Sequence, residues 1–478
     1  MAETSKSFIK KFVGFSLVTW ISFVITFLTA PIYTRLYLPD VLGKINIFNI
    51  YSNLFGIMIL LGLDHAFARF YLERPNNKSI GYLFTFCFGI TYAFLSILVI
   101  LSVPVSSFLS LQLFEERDNL LLYLFFLSVF CSATLRYLNL SYRMEKNIKM
   151  YTIQGILMTL VSKVLYLGVG FWDASYKPAL VALTISHVIL AVVFLLIQGG
   201  RFEKINGYDK FFASEMFKYA LPLVPVSILF WANNSIPQIV MQKTMDYYSI
   251  GIFSSAAALA HVILVIQAGF NTFWVPYVYE NYKTHAGQFF KVHRYLVCAL
   301  TLFALLLVLS QDVVFLLLGE KYRAAKSFFP FLILGPVCYI IGETTGMGIN
   351  ISKKTYWNIV VFGASVLVNI VFCILLSLPL KVPGIAIATA IAAITAMMLK
   401  TYIGERCYRI ITNYRYMYIS ILVILLSACI TLFVHTAGLK FCLLSIIFLF
   451  SLSFFKLEIK ELCSIVRSFV KHDNSPMF

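Results

Sequence analysis

Residues 349–394 read INISKKTYWNIVVFGASVLVNIVFCILLSLPLKVPGIAIATAIAAI, and their patterning decides the fold. After the basic pair Lys353-Lys354 an apolar run extends from Tyr356 to Leu378; Lys381 interrupts it, and a second run extends from Val382 to Tyr402. Each run has about the 20 residues that an α-helix needs to cross a hydrocarbon core of ~30 Å. The segment therefore predicts two transmembrane helices joined by a tight turn.

Working outward, runs of spanning length recur along the chain. They lie at 12–33, 45–63, 80–105, 120–140, 151–171, 178–197, 217–239, 250–276, 295–310 and 328–349, and after the two already read at 416–435 and 439–455. The expectation is an all-α integral membrane protein of about fourteen transmembrane helices. Composition agrees: 60% of the 478 residues are hydrophobic and 12% charged, against roughly 25% charged in a soluble domain. A soluble enzyme could not hide so much apolar surface. The first run is too long for a signal-peptide core and lacks a small-residue cleavage site, so it reads as the first helix. The nine cysteines form no CxxC pair and no metal-ligand spacing with histidine, and they read as small membrane hydrophobes; no metal is expected.

The net charge of +17 is not a nucleic-acid stripe. The basic residues sit in short loops, and 27 Lys and Arg fall on one side of the membrane against 10 on the other, with Lys163 left inside a helix. The positive-inside bias then places both termini, and the Lys353-Lys354 loop, in the cytoplasm.

Sliding the chain against itself by 208 residues superposes Gly43 on Gly251, Arg35 on Lys243 and Leu101-Ser102 on Leu309-Ser310. A repeat of six helices inserts both halves in the same sense, as in transporters that rock two lobes about a central cleft. The expected organisation is a six-helix lobe over 1–210, a second over 211–410, and two extra helices with a cytoplasmic tail over 411–478.

The stretches APIYTRLYLPDVLGKINIF (30–48), KYALPLVPVSI (218–228) and the Lys-Lys-Thr loop, Asn369 and Gly384–Thr389 of the opening segment resemble the polysaccharide transport family of lipid-linked oligosaccharide flippases. That family belongs to the larger group that holds the lipid II flippases and the multidrug and toxin extruders. Where many relatives have an Asp-Arg pair in helix seven, this chain reads Pro237-Gln238, which leaves Lys243 as the nearby basic residue.

No P-loop, nucleophile elbow or metalloprotease helix is present, so ATP hydrolysis is not expected. The informative residues are the polar groups placed in the membrane, each of which costs about 2.5–3.5 kcal/mol on insertion scales. Lys163 is expected to meet a phosphate in the cleft, or else to snorkel or pair for packing. Arg35 and Lys243, pseudo-symmetric on the positive-poor side, are candidate substrate contacts, with interfacial snorkelling the alternative. Arg69 could meet substrate at cytoplasmic entry or serve as an ordinary anchor. Glu343 could bind a coupling cation or proton, or neutralise a basic residue such as Arg136. His187 and His261 read mainly as helix-packing groups; Asn233, Asn234, Gln267, Asn271 and Asn369 lie within spans. The pair Pro222 and Pro225 is expected to break helix seven.

The resemblance implies a flippase that moves undecaprenyl-diphosphate-linked oligosaccharide repeat units across a bacterial cytoplasmic membrane for surface polysaccharide synthesis. No cofactor is expected; coupling would be to Na+, H+ or the membrane potential. Partners would be the lipid-linked substrate, membrane lipids, and polymerase and glycosyltransferases of the pathway, with no nucleic acid. The rivals are a cation-coupled multidrug exporter of the same fold and a polysaccharide polymerase.

Overall fold

A computed structural model describes residues 2–73, 79–204, 209–282, 286–410 and 413–473, and side chains over most of these. The side chains of Asn271 and of Lys6, Lys10, Lys11, Arg467 and Lys471 of the charge tally are not among those described, and Arg74, Lys78 and Lys283 lie outside the described residues. The described residues are helical, with no strand among them. In lipid every backbone polar group needs an internal partner, and a helix supplies it within one segment.

Two compact units divide between Gly251 and Ile252. In the first, α1 (Ala2–Leu36), α2 (Pro39–Leu60), α3 (Leu63–Glu73), α4 (Ile80–Ser102), α5 (Ser106–Phe114), α6 (Asn119–Met144), α7 (Ile148–Gly170), α8 (Tyr176–Gln198), α9 (Lys210–Ala220) and α10 (Leu223–Thr244) follow in order; α11 (Tyr247–Ala260) begins at its end. Side chains between the apolar runs set where helices start. Ser79, Asp118, Asn147 and Asp209 accept from the backbone N–H of Tyr82, Leu120, Met150 and Phe212 at 2.9, 2.9, 3.1 and 3.0 Å, capping α4, α6, α7 and α9.

Association between helices rests on small residues and short polar contacts, since lipid offers no hydrophobic drive. Gly155 of α7 lies against Val18 of α1, where an added Cβ would come within 2.4 Å of a methyl group, and Thr159 donates to Ser22 at 2.9 Å one turn on. The expected break of helix seven is found at Leu221-Pro222, between α9 and α10. The first unit contains this seventh span, because α10 packs on α2: Trp231 Nε1 donates to the Ile50 carbonyl at 3.0 Å and Tyr51 to Gln242 at 2.9 Å. The first compact unit thus extends to Gly251.

The second unit continues α11 and adds α12 (Leu264–Asn281), α13 (Ala286–Leu309), α14 (Gln311–Leu317), α15 (Phe329–Thr345), α16 (Met347–Ile351), α17 (Trp357–Cys407), α18 (Arg415–Phe433), α19 (Ala437–Phe454) and α20 (Lys456–Asp473). α15 and α17 approach closely at glycines: a Cβ on Gly404 would stand 2.5 Å from the Thr345 carbonyl oxygen, and Thr345 shares a 2.7 Å hydrogen bond with Thr401.

Among the described residues 11 helices are long and apolar enough to cross a membrane, or 13 when each of two bent pairs is taken as one span. The expected figure of about fourteen separates the limbs of α17. That helix of 51 residues leaves helical geometry at Lys381 (φ 50°, ψ −134°), and the Ser365 hydroxyl donates to the Ala392 carbonyl at 3.1 Å. The two limbs therefore lie side by side, as the opening segment predicts.

Candidate functional site

The first unit encloses a cavity of about 780 Å³. α6 contributes Ser132, Arg136, Asn139 and Arg143, spaced i, i+4, i+7 and i+11, which at 3.6 residues per turn is one continuous stripe. α10 contributes Ser227, Trp231 and Asn234 in the same rhythm, and α2 contributes Asn53 and Gly56. A polar stripe on an otherwise apolar helix cannot face lipid cheaply, so it turns inward.

The last side of the cavity comes from a broken helix. α2 ends at Leu61 (φ 50°) and Gly62 (φ 71°), and α3 leaves at 43°. Gly62 is required here twice over, by its left-handed backbone and because a Cβ would lie 2.3 Å from the Ala220 carbonyl oxygen. The break places Asp64 and His65 at the cavity wall. Asp64 is 5% exposed, and it is held by Arg136, whose Nε donates to Oδ2 at 2.7 Å with Nη2 reaching the same oxygen. Arg136 remains about half exposed on the cavity side. Arg143, two turns further along the stripe, is exposed, and among the described residues it joins no ion pair.

The expected site residues are placed as follows. Lys163 on α7 lies over the ring of Tyr33 at 5.1 Å and near that of Tyr166 at 6.0 Å, a cation–π seat within the α1–α7 contact. Arg35 is two residues beyond Tyr33, about 200° around α1, and is exposed while Tyr33 is buried; that geometry does not bring it to Lys163. Lys243 on α10 pairs with Glu115 at 3.3 Å. Arg69 on α3 pairs with Glu73 at 3.0 Å and lies 4.8 Å from the Tyr219 ring. None of these four lines the cavity. Gln238, which stands where many relatives have a charged pair, accepts from Asn46 of α2. His187 sits 3.4 Å from the Ser128 hydroxyl, joining α8 to α6.

Glu343, in the second unit, pairs with Lys400 of α17. Of its two expected roles this is the neutralising one, made with Lys400, while Arg136, the basic residue given as an example, pairs with Asp64. The reason is local, since the α15–α17 glycine contact carries the Lys400 stem directly past Gly346, where an added Cβ would meet it at 2.6 Å.

The sequence reading passed over Asp64 and Arg136 as a pair. Asp64 stands at the start of a short helix and Arg136 only two turns from the end of α6, where hydropathy discounts charge, yet the α6 stripe at helical spacing was legible.

A second cluster lies where the α5–α6 connection meets three helices. Lys44 of α2 pairs with Glu116 and sits 4.3 Å from the Tyr176 ring centroid; Tyr176 also donates to Glu116, Lys177 pairs with Asp118, and Lys243 with Glu115. Burial alone would raise the Glu116 carboxyl, but hydrogen bonds from Lys44 and Tyr176 hold it below its ordinary value. The hydrogen bond from Lys177 likewise lowers that of Asp118. Beside this cluster Gly43 and Gly251 lie against opposed backbones: a Cβ on Gly43 would stand 1.9 Å from the Tyr247 carbonyl oxygen, and one on Gly251 1.8 Å from that of Pro39.

The helical architecture is shared with solved membrane proteins. The chain is similar to the lipid II flippase MurJ in an inward closed conformation, with a TM-score of 0.70 at 14% identity over 93% of this chain and 99% of that one. It is also similar to the Vibrio cholerae MATE transporter VcmN (a mutant form), with a TM-score of 0.57 at 13% identity over 87% and 99%. At such identities the likeness is one of fold. The chain belongs to the polysaccharide biosynthesis protein family, whose sequence model matches residues 32–327. It is 23% identical over 283 residues to the capsular polysaccharide biosynthesis protein CapF of Staphylococcus aureus, covering 56% of this chain and 70% of that protein. The resemblance to polysaccharide flippases stated from the sequence is thereby borne out, as is a multi-pass membrane protein.

Proposed function

We propose that this protein flips undecaprenyl-diphosphate-linked oligosaccharide repeat units from the inner to the outer leaflet of the cytoplasmic membrane, with both termini cytoplasmic. The observation that carries this reading is the cavity of the first unit: its two arginines face one buried carboxylate, so its lining is net positive. A volume of about 780 Å³ lies within the range of ~300–1,000 Å³ that takes a drug-sized ligand. It accommodates a diphosphate and the first sugars while the isoprenoid tail stays in lipid. Arg136 and Arg143 can bind phosphate oxygens bidentately; Asn53, Asn139 and Asn234 supply sugar hydrogen bonds, and Trp231 a wall. Lys163, Arg35, Lys243 and Arg69 are proposed as further cation contacts along the route, and polymerase and glycosyltransferases as pathway partners.

An inside-negative potential favours outward movement of an anion by about 2.3 kcal/mol per charge per 100 mV, which biases transport without ATP. A multidrug exporter of cations would instead need an acidic cavity, and here the cavity acid is already engaged.

The test is polymer export in cells lacking their own flippase, with membrane levels measured in parallel. Arg143→Gln and Lys163→Gln should each lower export at least roughly tenfold, the loss of one charge-assisted contact, and Arg143→Lys and Lys163→Arg should restore part of it. Full export by the Arg143→Gln protein would remove the cavity from the route; full export by Lys163→Gln would remove that lysine.

A further inference from the structure

A second concavity lies in the other unit, remote in sequence from the residues assigned above. Where the second limb of α17 ends and α18 begins, Tyr402, Glu405, Arg406, Arg409, Tyr414 and Tyr418 surround a space of about 400 Å³. α18 packs on α13 and α15, and Tyr402, Arg406 and Arg409 at this end of α17 are exposed.

The charges here are unbalanced. Glu405 is engaged locally: its two oxygens accept from the Ile410 N–H at 3.1 and 3.2 Å, closing the turn that follows α17, and the Tyr414 hydroxyl is a further neighbour. Among the described residues no carboxylate lies in ion-pair range of Arg406 or Arg409, and both are exposed. Arg406 lies over the Tyr402 ring, 4.4 Å from its centroid, a cation–π contact that uses none of its N–H donors. Two guanidiniums with free donors are suited to a phosphate.

The remaining wall decides what carries that phosphate. The apolar runs of α17 and α18 both end at this level, and Tyr402 and Tyr418 are exposed there, the position that tyrosine takes at a membrane–water boundary. Met398 and Met417 also line it, beside Thr401, whose buried hydroxyl is taken up by Thr345 and the Met417 sulfur, so this wall offers mainly flexible apolar atoms. A free anion would leave that side unused; a phosphodiester with acyl chains would cover it.

We propose that this concavity is a resident binding site for the headgroup of an anionic phospholipid, with the phosphodiester on Arg406 and Arg409, the glycerol against the tyrosine rings and the first acyl carbons on the methionines. It is separate from the substrate cavity and does not depend on the substrate assigned above.

The test uses the full-length protein in neutral-detergent mixed micelles, with labelled phosphatidylglycerol as probe and labelled phosphatidylcholine as reference. The wild-type protein should retain phosphatidylglycerol in preference. Arg406→Gln/Arg409→Gln should lower that retention roughly tenfold or more, Arg406→Lys/Arg409→Lys should keep much of it, and Lys353→Gln/Lys354→Gln, which removes equal charge from another loop, should leave it unchanged. Tyr402→Leu/Tyr418→Leu should lower it severalfold at constant charge. Equal retention by the Arg406→Gln/Arg409→Gln protein, or an equal loss in the Lys353/Lys354 variant, would overturn the site. Displacement of the lipid by millimolar inorganic phosphate would show that the arginines read a free anion and would overturn the lipid assignment.

Discussion

Arg136 and Asp64 share one oxygen through two nitrogens of the guanidinium, yet only the arginine faces the cavity: Asp64 is 6% exposed in its side chain and Arg136 54%. The pair is therefore asymmetric in what its loss would cost. Arg136→Gln strands a buried carboxylate and should destabilise the protein by about 3–5 kcal/mol. Asp64→Asn leaves a half-exposed cation that water can solvate and should cost less than about 1 kcal/mol. Thermal unfolding of both variants in detergent measures this, and equal losses would mean that the burial of Asp64 is unimportant.

The carboxylate cluster at 115–118 gives a pH dependence. Glu116 and Asp118 are held below their ordinary values, so their contribution is fully present above about pH 4. It is lost as the pH falls through the lowered folded values. Pepsin, active in acid, should begin to nick this connection only below about pH 4, and in Lys44→Gln/Lys177→Gln nicking should begin at higher pH. Identical profiles would show that the lysines do not hold the connection.

Gly43 and Gly251 make the close approach between the start of α2 and the start of α11. An alanine at either place meets a backbone carbonyl below 2 Å, which no rotamer can relieve. Gly43→Ala and Gly251→Ala should each expose Asn46→Cys to an impermeant thiol reagent and impair export. The double variant should be scarcely worse than either single one, because both break one contact. Unaltered labelling and export in Gly43→Ala would refute the contact.

Glu343 and Lys400 bear on coupling. Glu343→Gln should abolish any dependence of transport on a Na+ or H+ gradient if the carboxylate takes up the coupling ion. Glu343→Gln/Lys400→Met, which removes both charges of a half-buried pair, should restore stability but not coupling. Transport by reconstituted protein under imposed gradients decides it; unchanged gradient dependence in Glu343→Gln would make the pair structural.

Much of this architecture was legible in the sequence, because a span declares itself by length and apolarity alone. The turn at Lys381 and the match of Gly43 to Gly251 were likewise readable. The site was less so, for a physical reason: a cation in a membrane helix announces its cost but not its partner. Lys163 rests on Tyr33, and Arg136 on Asp64, pairings made by helix packing at separations no local pattern encodes. Arg35 and Lys243 coincide under the repeat, yet Lys243 is occupied by Glu115, an acid that the same shift sets against Arg323.

The break at Leu61 and Gly62 acts as a mechanical amplifier. The angle between α2 and α3 hangs on the torsions of two adjacent residues, and Asp64 stands two positions beyond them. α3 has 11 residues and is about 16 Å long, so a rotation of about 20° at the break would sweep its far end, near Glu73, through roughly 5–6 Å. Whatever competes with Asp64 for Arg136 thus works on the short arm of a lever whose long arm ends at Glu73.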